Sequence, residues 1–207
     1  MSFSNFKNVE QVLKKYPHQY LRASFLPQEL TLTPPDWFVE ETQFALSTQT
    51  EIENEAFFRE NFIYPLMKLV WRNHLQLKLW INQSLFFNDE LSGELDYMLS
   101  YWPKETVIES FITRPMLAVV EAKQQNFIRG WGQCLAEMIA CQKLNDQPDQ
   151  TVFGIVSTGL TWEFAKLQRQ IFTKDLYTYS ISDLPRLLGL LDFVMTECEK
   201  ELQLYNH

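Results

Sequence analysis

A run of apolar residues in the middle of the chain predicts a buried strand. Residues 115–123 begin at Pro115 and continue through Met, Leu, Ala and Val to Glu121, Ala122 and Lys123. Such a run is typical of a strand that is covered on both faces. Because residues two apart in a strand point to the same side, Glu121 and Lys123 are expected to project together from its end. Charges at a buried position are costly unless they are paired, so an ion pair and a catalytic site both explain them.

Alternating patterns on either side of this run predict the rest of a sheet. Residues 75–87 and 93–101 alternate apolar and polar positions and predict two strands joined by a turn at 88–93. After the central run, residues 127–144 have the spacing of a helix that packs its small residues against a sheet. Further strands are predicted at 151–158, 162–170 and 177–181, followed by a helix over 183–203 with Pro185 in its first turn.

The N-terminal part has weaker patterns. Residues 1–22 mix apolar and charged positions at helical intervals and predict an amphipathic helix that packs on the main domain, with a partner-binding arm as the alternative. Residues 30–33 are predicted as a short strand. Two overlapping capping boxes, which start at Thr48 and Thr50, predict a helix that runs to about Trp71. Pro65 is expected to kink or break that helix near Asn61 to Pro65.

Composition limits the classes of protein that fit. The chain has 207 residues and 46% hydrophobic content, which suits one domain with a sizeable core. The formal net charge of −8 counts against nucleic-acid binding without excluding it. The N-terminus lacks the pattern of a signal peptide and no window approaches the length of a membrane span, so we expect a cytoplasmic protein without a membrane partner.

The cysteine and histidine residues give no support for a zinc enzyme or a cysteine enzyme. The cysteines match no zinc spacing and are too few for a disulfide framework. The histidines lie far apart in sequence, so no triad is visible. These residues are Cys134, Cys141, Cys198, His18, His74 and His207.

Four polar positions follow one another on the predicted elements in an informative order. Asp96 lies on the second strand of the hairpin, Glu121 and Lys123 on the buried strand, and Gln133 on the following helix. At these residues the sequence resembles the PD-(D/E)XK nuclease superfamily. Asp96 matches the acid of the first motif, Glu121 and Lys123 match the second motif, and Gln133 matches a glutamine that many members carry. The resemblance covers roughly residues 51–170.

This resemblance implies a fold and a division of the chain. The fold is an α/β (α+β) restriction-endonuclease-like core, with a central mixed sheet of four to five strands flanked by helices. Residues 48–207 would form the nuclease domain, and residues 1–47 a helical and extended segment packed on it. Two departures stand out: Leu95 rather than proline precedes Asp96, and the long gap to Glu121 requires an extended hairpin through Trp102 to Arg114.

The resemblance also implies the chemistry. Asp96 and Glu121 would hold Mg²⁺, with Mn²⁺ as a substitute, and the ion would activate water for hydrolysis of a phosphodiester, with DNA as the expected substrate. Members often place a further glutamate on the helix before the first catalytic strand. Glu55 is the choice for that role, with Glu51 in reserve. The competing explanation for Glu55 is that its negative charge stabilises the N-terminus of a helix.

Lys123 is expected to position the attacking water and stabilise charge, because neighbouring carboxylates raise the pKa that a general base would need lowered. Gln133 would align the water or a ligand, and a solvated glutamine is the equal alternative. Backbone contacts are assigned to basic residues that flank the motif-bearing elements: Lys68, Arg72, Lys78, Arg129 and Lys143. For each of these five residues, an ordinary solvated charge is the stronger competing explanation.

Partners and activity stay open in two respects. A homodimer is compatible with the fold, since cutting both strands of DNA needs two sites. The alternative to a nuclease is a catalytically inactive module of the same fold that acts in protein interaction or assembly. The acidic net charge and the lack of an evident basic groove favour that alternative.

Overall fold

A mixed sheet forms the centre of the protein in the computed structural model, which describes residues 2–103, 112–123 and 126–205. Within these residues eight strands belong to the one sheet. They are β1 (Gln19–Arg22), β2 (Leu77–Phe86), β3 (Ser92–Tyr101), β4 (Met116–Ala122), β5 (Val152–Ser157), β6 (Thr161–Gln168), β7 (Ile171–Lys174) and β8 (Tyr179–Ser180).

Helices cover both faces of this sheet. They are α1 (Val9–Lys15), α2 (Asp36–Thr48), α3 (Glu55–Phe58), α4 (Tyr64–Trp71), α5 (Phe127–Asn145) and α6 (Leu184–Tyr205). A π-helical segment, Arg59–Ile63, joins α3 to α4.

The strand order is β1-β7-β6-β5-β4-β3-β2, and β8 pairs with β6. Strands β2, β3 and β4 form an antiparallel meander. Helix α5 then crosses over to β5, which is parallel to β4, and β1 is parallel to β7. The mixed α/β class is therefore confirmed. The sheet is larger than the predicted four to five strands, because β1 and β7 are too short to give an alternating pattern; the strand predicted at 177–181 is the two-residue β8.

Strand β4 lies between two hydrophobic layers, as its continuous apolar run predicts. Every residue of β4 is buried. Val119 packs in the layer beneath α5 and α1, while Val120 packs in the layer beneath α4 and α6. The predicted boundaries of β2, β3, β5, β6, α5 and α6 agree with the structure to within about two residues, the ordinary uncertainty of helix and strand ends.

The expected helix over residues 1–22 is wrong in extent. Asn8 caps α1 through a hydrogen bond from the Gln11 amide, and the helix ends before Pro17, which cannot continue it. Residues 19–22 instead form β1, which depends on its partner β7 rather than on local pattern. Residues 30–33 are not a strand, and helix α2 was not predicted.

Neither Thr48 nor Thr50 begins a helix, although the Thr50 hydroxyl donates to the Glu53 side chain at 3.0 Å. Thr48 is the last residue of α2, and its hydroxyl donates back to the Phe44 carbonyl at 2.9 Å. Asn54 is the actual cap of α3 and accepts from the Phe57 amide at 3.1 Å. The predicted disturbance before Pro65 is confirmed. It takes the form of the π-helical segment, in which the wider turn avoids the clash between the proline ring and the preceding turn.

Two expectations concern segments that stand outside these elements. The hairpin expected through Trp102 to Arg114 falls largely on residues 104–111, which lie outside the described part of the chain. Among the described residues, no helix combines the length and the apolar composition needed to cross a bilayer.

The N-terminal segment packs closely against α5 at Gly132. A Cβ atom built on Gly132 would lie 2.7 Å from the Asn8 nitrogen and 2.8 Å from the Phe6 carbonyl oxygen. Both neighbours are backbone atoms, which cannot rotate away. The chain N-terminal to α1 therefore rests directly on the helix that follows β4.

Gly132→Ala is expected to lower the free energy of unfolding by about 1–3 kcal/mol, since the methyl group overpacks this contact. Alanine alone would favour the helix by about 1 kcal/mol, so the expected sign is opposite to that of helix propensity. Urea denaturation measures the change, and Gln43→Ala on the exposed side of α2 is the control. A Gly132→Ala protein as stable as the wild type would show that the segment does not press on α5.

Candidate active site

Glu121 and Lys123 meet at the end of β4. The Lys123 Nζ lies 2.6 Å from Glu121 Oε1, which confirms the prediction that the two side chains project to the same side. Glu121 is only 2% exposed. The first turn of α5 packs on the lysine, because a Cβ atom on Gly130 would lie 3.1 Å from Lys123 Cγ. The ion pair is thus held between the sheet and the start of the crossover helix.

Asp96 reaches the same strand end from β3. Pairing between β3 and β4 ends at Tyr97 and Val120. Beyond that pair, Asp96 Oδ2 accepts a hydrogen bond from the Ala122 amide at 2.9 Å, in place of a backbone carbonyl. Because Ala122 stands between Glu121 and Lys123, this bond brings the carboxylate of Asp96 beside the predicted second motif.

Arg59 supplies the cation partner of Asp96, and sequence reasoning missed it. Its Nη1 lies 3.1 Å from Asp96 Oδ1. The guanidinium also stacks over the Tyr97 ring, with 5.2 Å between Cζ and the ring centroid, and donates to the Asn82 side chain. Arg59 follows Glu55 by one helical turn, and this i,i+4 spacing is the signal in the sequence that could have identified it.

Glu137 on α5 is a third acid in this region that was not assigned a role. It is fully buried, and apart from Glu121 no hydrogen-bond partner for its carboxyl oxygens lies among the described residues. Burial raises its pKa well above the ordinary value for glutamate, and the charge of Glu121 raises that pKa further. Both effects favour the protonated form of Glu137. Glu137 lies one helical turn after Gln133, and this spacing in the sequence could have indicated that both residues face the same site.

Asp96, Glu121 and Glu137 are called the acid cluster below, and burial together with the charge of Asp96 perturbs the pKa of Glu121. Burial raises the pKa of Glu121 to about 7, the charge of Asp96 raises it too, and Lys123 opposes both effects. Two carboxylates that repel each other at short range favour the binding of a proton or another cation. The acid cluster therefore favours the binding of a proton or a metal cation at this end of β4.

The electrostatic surroundings of Lys123 favour its charged form. Burial alone would lower the pKa of Lys123, but the charges of Glu121, Glu55 and Asp96 raise it, and the net shift is upward. An ammonium group of raised pKa is a poor general base at neutral pH. This shift agrees with the expectation that Lys123 positions groups and stabilises charge.

The other two predicted residues occupy less direct positions. Glu55 is the first residue of α3, half-buried, and its charge acts on Lys123 and on Arg59. Gln133 is 8% exposed and lies one turn before Glu137 on α5. Within the described part of the chain it makes no hydrogen bond to the acid cluster, so its alignment role stays a prediction. The reserve residue Glu51 is exposed in a turn before α3.

The five basic residues assigned to backbone contacts are dispersed. Lys68, Arg72, Arg129 and Lys143 are exposed. Lys78 is half-buried, and its ammonium lies between 5.2 and 5.8 Å from the ring centroids of Trp71, Trp80 and Trp102.

Two of these residues are well separated along one helix. Arg129 and Lys143 stand at opposite ends of α5, about 21 Å apart at 1.5 Å per residue. Lys143 lines a cavity of about 610 Å³ together with Lys15 and Arg169, at the end of α5 away from Lys123. One phosphate therefore cannot contact both Arg129 and Lys143.

The carboxylates of Asp96 and Glu121 are the groups expected to bind magnesium. Within residues 2–103, 112–123 and 126–205, no group of three or more histidine, cysteine, aspartate or glutamate side chains is arranged to hold a metal. Mg²⁺ keeps several waters and commonly takes only one or two protein carboxylates. Asp96 and Glu121 are hard oxygen donors with an excess of mutual repulsion, so their chemistry fits this ion.

Comparison with known proteins does not add a family to these observations. Neither the models of known protein families nor the curated proteins match the chain. Function is therefore inferred from the side-chain geometry together with the motif resemblance described above.

Glu121→Gln is expected to flatten the pH dependence of stability in EDTA. Between pH 4.5 and about 7, the folded state holds a proton on Glu121 that the unfolded chain has released. The free energy of unfolding of the wild type therefore falls as pH rises through this window, by on the order of 3 kcal/mol from this group.

Urea denaturation at half-unit steps from pH 4.5 to 7.5 measures this slope. Glu40→Gln, an exposed glutamate on α2, is the control that should retain the wild-type slope. An unchanged slope in Glu121→Gln would show that the carboxyl is not destabilised in the folded state.

Proposed function

We propose that the protein is a magnesium-dependent nuclease that hydrolyses phosphodiester bonds, with DNA as its substrate. The observation that carries this proposal is the hydrogen bond from the Ala122 amide to Asp96, which joins Asp96 to the ion pair of Glu121 and Lys123. Two carboxylates and one ammonium from neighbouring strands thereby share one strand end. Metal ligands beside a fixed positive charge are a combination that can catalyse the hydrolysis of a phosphodiester.

Asp96 and Glu121 would hold the ion, and Glu55 would complete its surroundings from the start of α3. When bound, Mg²⁺ lowers the pKa of a water molecule and neutralises charge that develops on the phosphate. The protein contributes the arrangement of the carboxylates. The Ala122 amide orients one oxygen of Asp96, and the sheet and α5 exclude water from Glu121.

Lys123 acts as a fixed cation in this proposal. Its raised pKa keeps the ammonium charged at neutral pH. From the end of β4 it can hold the attacking water by a hydrogen bond and stabilise the additional negative charge of the transition state. Gln133, on the face of α5 that also carries Glu137, would align the water or a phosphate oxygen.

The overall architecture supports the proposal at a coarse level. A mixed sheet flanked by helices is the type of fold that the resemblance implies, and the restriction-endonuclease-like core is part of what we propose. DNA is preferred as the substrate because of the resemblance. We also propose that the protein forms a homodimer and is located in the cytoplasm. The residues proposed to contact the DNA backbone are Lys68, Arg72, Lys78, Arg129 and Lys143.

A second function is favoured by one specific observation. Asp96 is paired with Arg59, and Glu121 with Lys123, so protein cations already partner both carboxylates. A paired cluster of this kind is also what a catalytically inactive module of the same fold would retain for stability. Such a module would act in protein interaction or assembly and would bind no metal at this site.

Cleavage of supercoiled plasmid and of single-stranded DNA in Mg²⁺ or Mn²⁺ tests the nuclease proposal. Glu121→Gln and Lys123→Met are each expected to reduce the cleavage rate by at least about 100-fold, because each removes a charge that acts on the transition state. EDTA is expected to abolish cleavage by the wild type.

Lys174→Met is the matched control, since Lys174 forms a pair with Glu163 at the same 2.6 Å distance and its side chain is as buried as that of Lys123. This variant is expected to cleave like the wild type. Cleavage that survives in Glu121→Gln and Lys123→Met would locate the activity elsewhere. No cleavage and no heat of metal binding by folded wild-type protein would favour the inactive module.

A further inference from the structure

Arg59 occupies the place beside Asp96 where a positive ion is expected. The guanidinium lies 3.1 Å from Asp96, and the charge of Glu55, one turn earlier on the helix, also acts on it. These are two of the three carboxylates assigned to the metal. An arginine and a divalent cation therefore compete for the same negative charge.

We propose that Arg59 is a built-in counter-ion that holds Asp96 in the metal-free protein and is displaced from it when a divalent cation binds. The inference rests on the proposed metal-dependent function and deepens it, because it assigns the event that accompanies metal binding. Arg59 is then a positioning residue that acts through Asp96.

The three contacts of the guanidinium make such a displacement inexpensive. Only Nη1 contacts Asp96, whereas Nε faces the Tyr97 hydroxyl at 3.4 Å and Nη2 donates to Asn82. The ring of Tyr97 also supports the guanidinium from below. Loss of the Asp96 contact therefore leaves the rest of the arrangement in place, and the arginine stays beside the site.

Two irregularities of the backbone lie beside this arginine. Asn82 has a left-handed conformation, with φ of 50°, between residues that pair regularly with β3. This conformation is uncommon for a residue other than glycine, although asparagine tolerates it better than most. Arg59 itself begins the π-helical segment, a distortion that is frequent at functional sites.

Solvent can reach this contact while it cannot reach Glu121. The side chains of Arg59 and Asp96 are 19% and 18% exposed, whereas that of Glu121 is 3% exposed. A hydrated ion approaching from solvent therefore meets the Asp96 and Arg59 pair first. Exchange of the two cations at Asp96 is the step that opens access to the acid cluster.

Calorimetric titration with Mn²⁺ tests this exchange. Arg59→Gln is expected to bind Mn²⁺ roughly tenfold more tightly than the wild type, the change that corresponds to removal of one competing charge-assisted hydrogen bond. Arg59→Lys keeps the charge but cannot span Asp96, Tyr97 and Asn82, so its affinity is expected to lie between the two. Arg169→Gln, which breaks an exposed pair with Asp149 elsewhere, is expected to match the wild type.

Thermal unfolding supplies a second readout that does not depend on activity. Arg59→Gln is expected to have a lower melting temperature than the wild type in EDTA and to recover most of the difference in saturating Mn²⁺. A purely structural role for Arg59 would lower the melting temperature under both conditions and would not tighten Mn²⁺ binding.

The outcomes separate the two levels of inference. If the wild type binds Mn²⁺ and Arg59→Gln binds it equally or more weakly, counter-ion exchange is overturned and the metal site stands. If neither the wild type nor the folded Arg59 variants bind Mn²⁺, the proposed metal-dependent function fails, and the exchange fails with it.

Discussion

A carboxyl group that is removed from water must be paired with a cation, hydrogen-bonded or protonated. The acid cluster satisfies this constraint in three different ways. Asp96 is bonded to Arg59 and a backbone amide, Glu121 is paired with Lys123, and burial favours the protonated form of Glu137. Positive charge at the end of β4 is therefore the condition on which the local structure depends.

The fold creates this condition by the way it places β4. The strand is buried on both faces, and α5 packs across the face that carries Val119 and Glu121, so that Glu137 lies near Glu121. Because β3 stops pairing with β4 at Tyr97, a side chain replaces the backbone at the next position. The packing that stabilises the sheet thus also prevents water from solvating its acids.

The positions of the central strands and of α5 could be predicted because apolar residues recur in them at regular intervals or in continuous runs. Strands β2 to β5 and helix α5 follow regular patterns, and the spacing of Glu121 and Lys123 determines their shared side. The contacts of Arg59 and the role of Glu137 could not be predicted, since both depend on which element packs opposite them. Thr48 and Thr50 match a local capping signal, but Asn54 caps the helix instead because tertiary packing decides where α3 begins. Strand β1 likewise has no pattern of its own and exists through β7.

The pairing of β1 with β7 has a consequence for the order in which the protein acquires its structure during synthesis. Gln19 is registered with Ile171, so β1 leaves the ribosome long before its partner exists. Contacts between residues so distant in sequence close a large loop and form slowly. The meander of β2 to β4 and helix α5 can fold first, while the residues of β1 are still unpaired. The edge of the sheet is therefore completed only in the last stage of translation of this region.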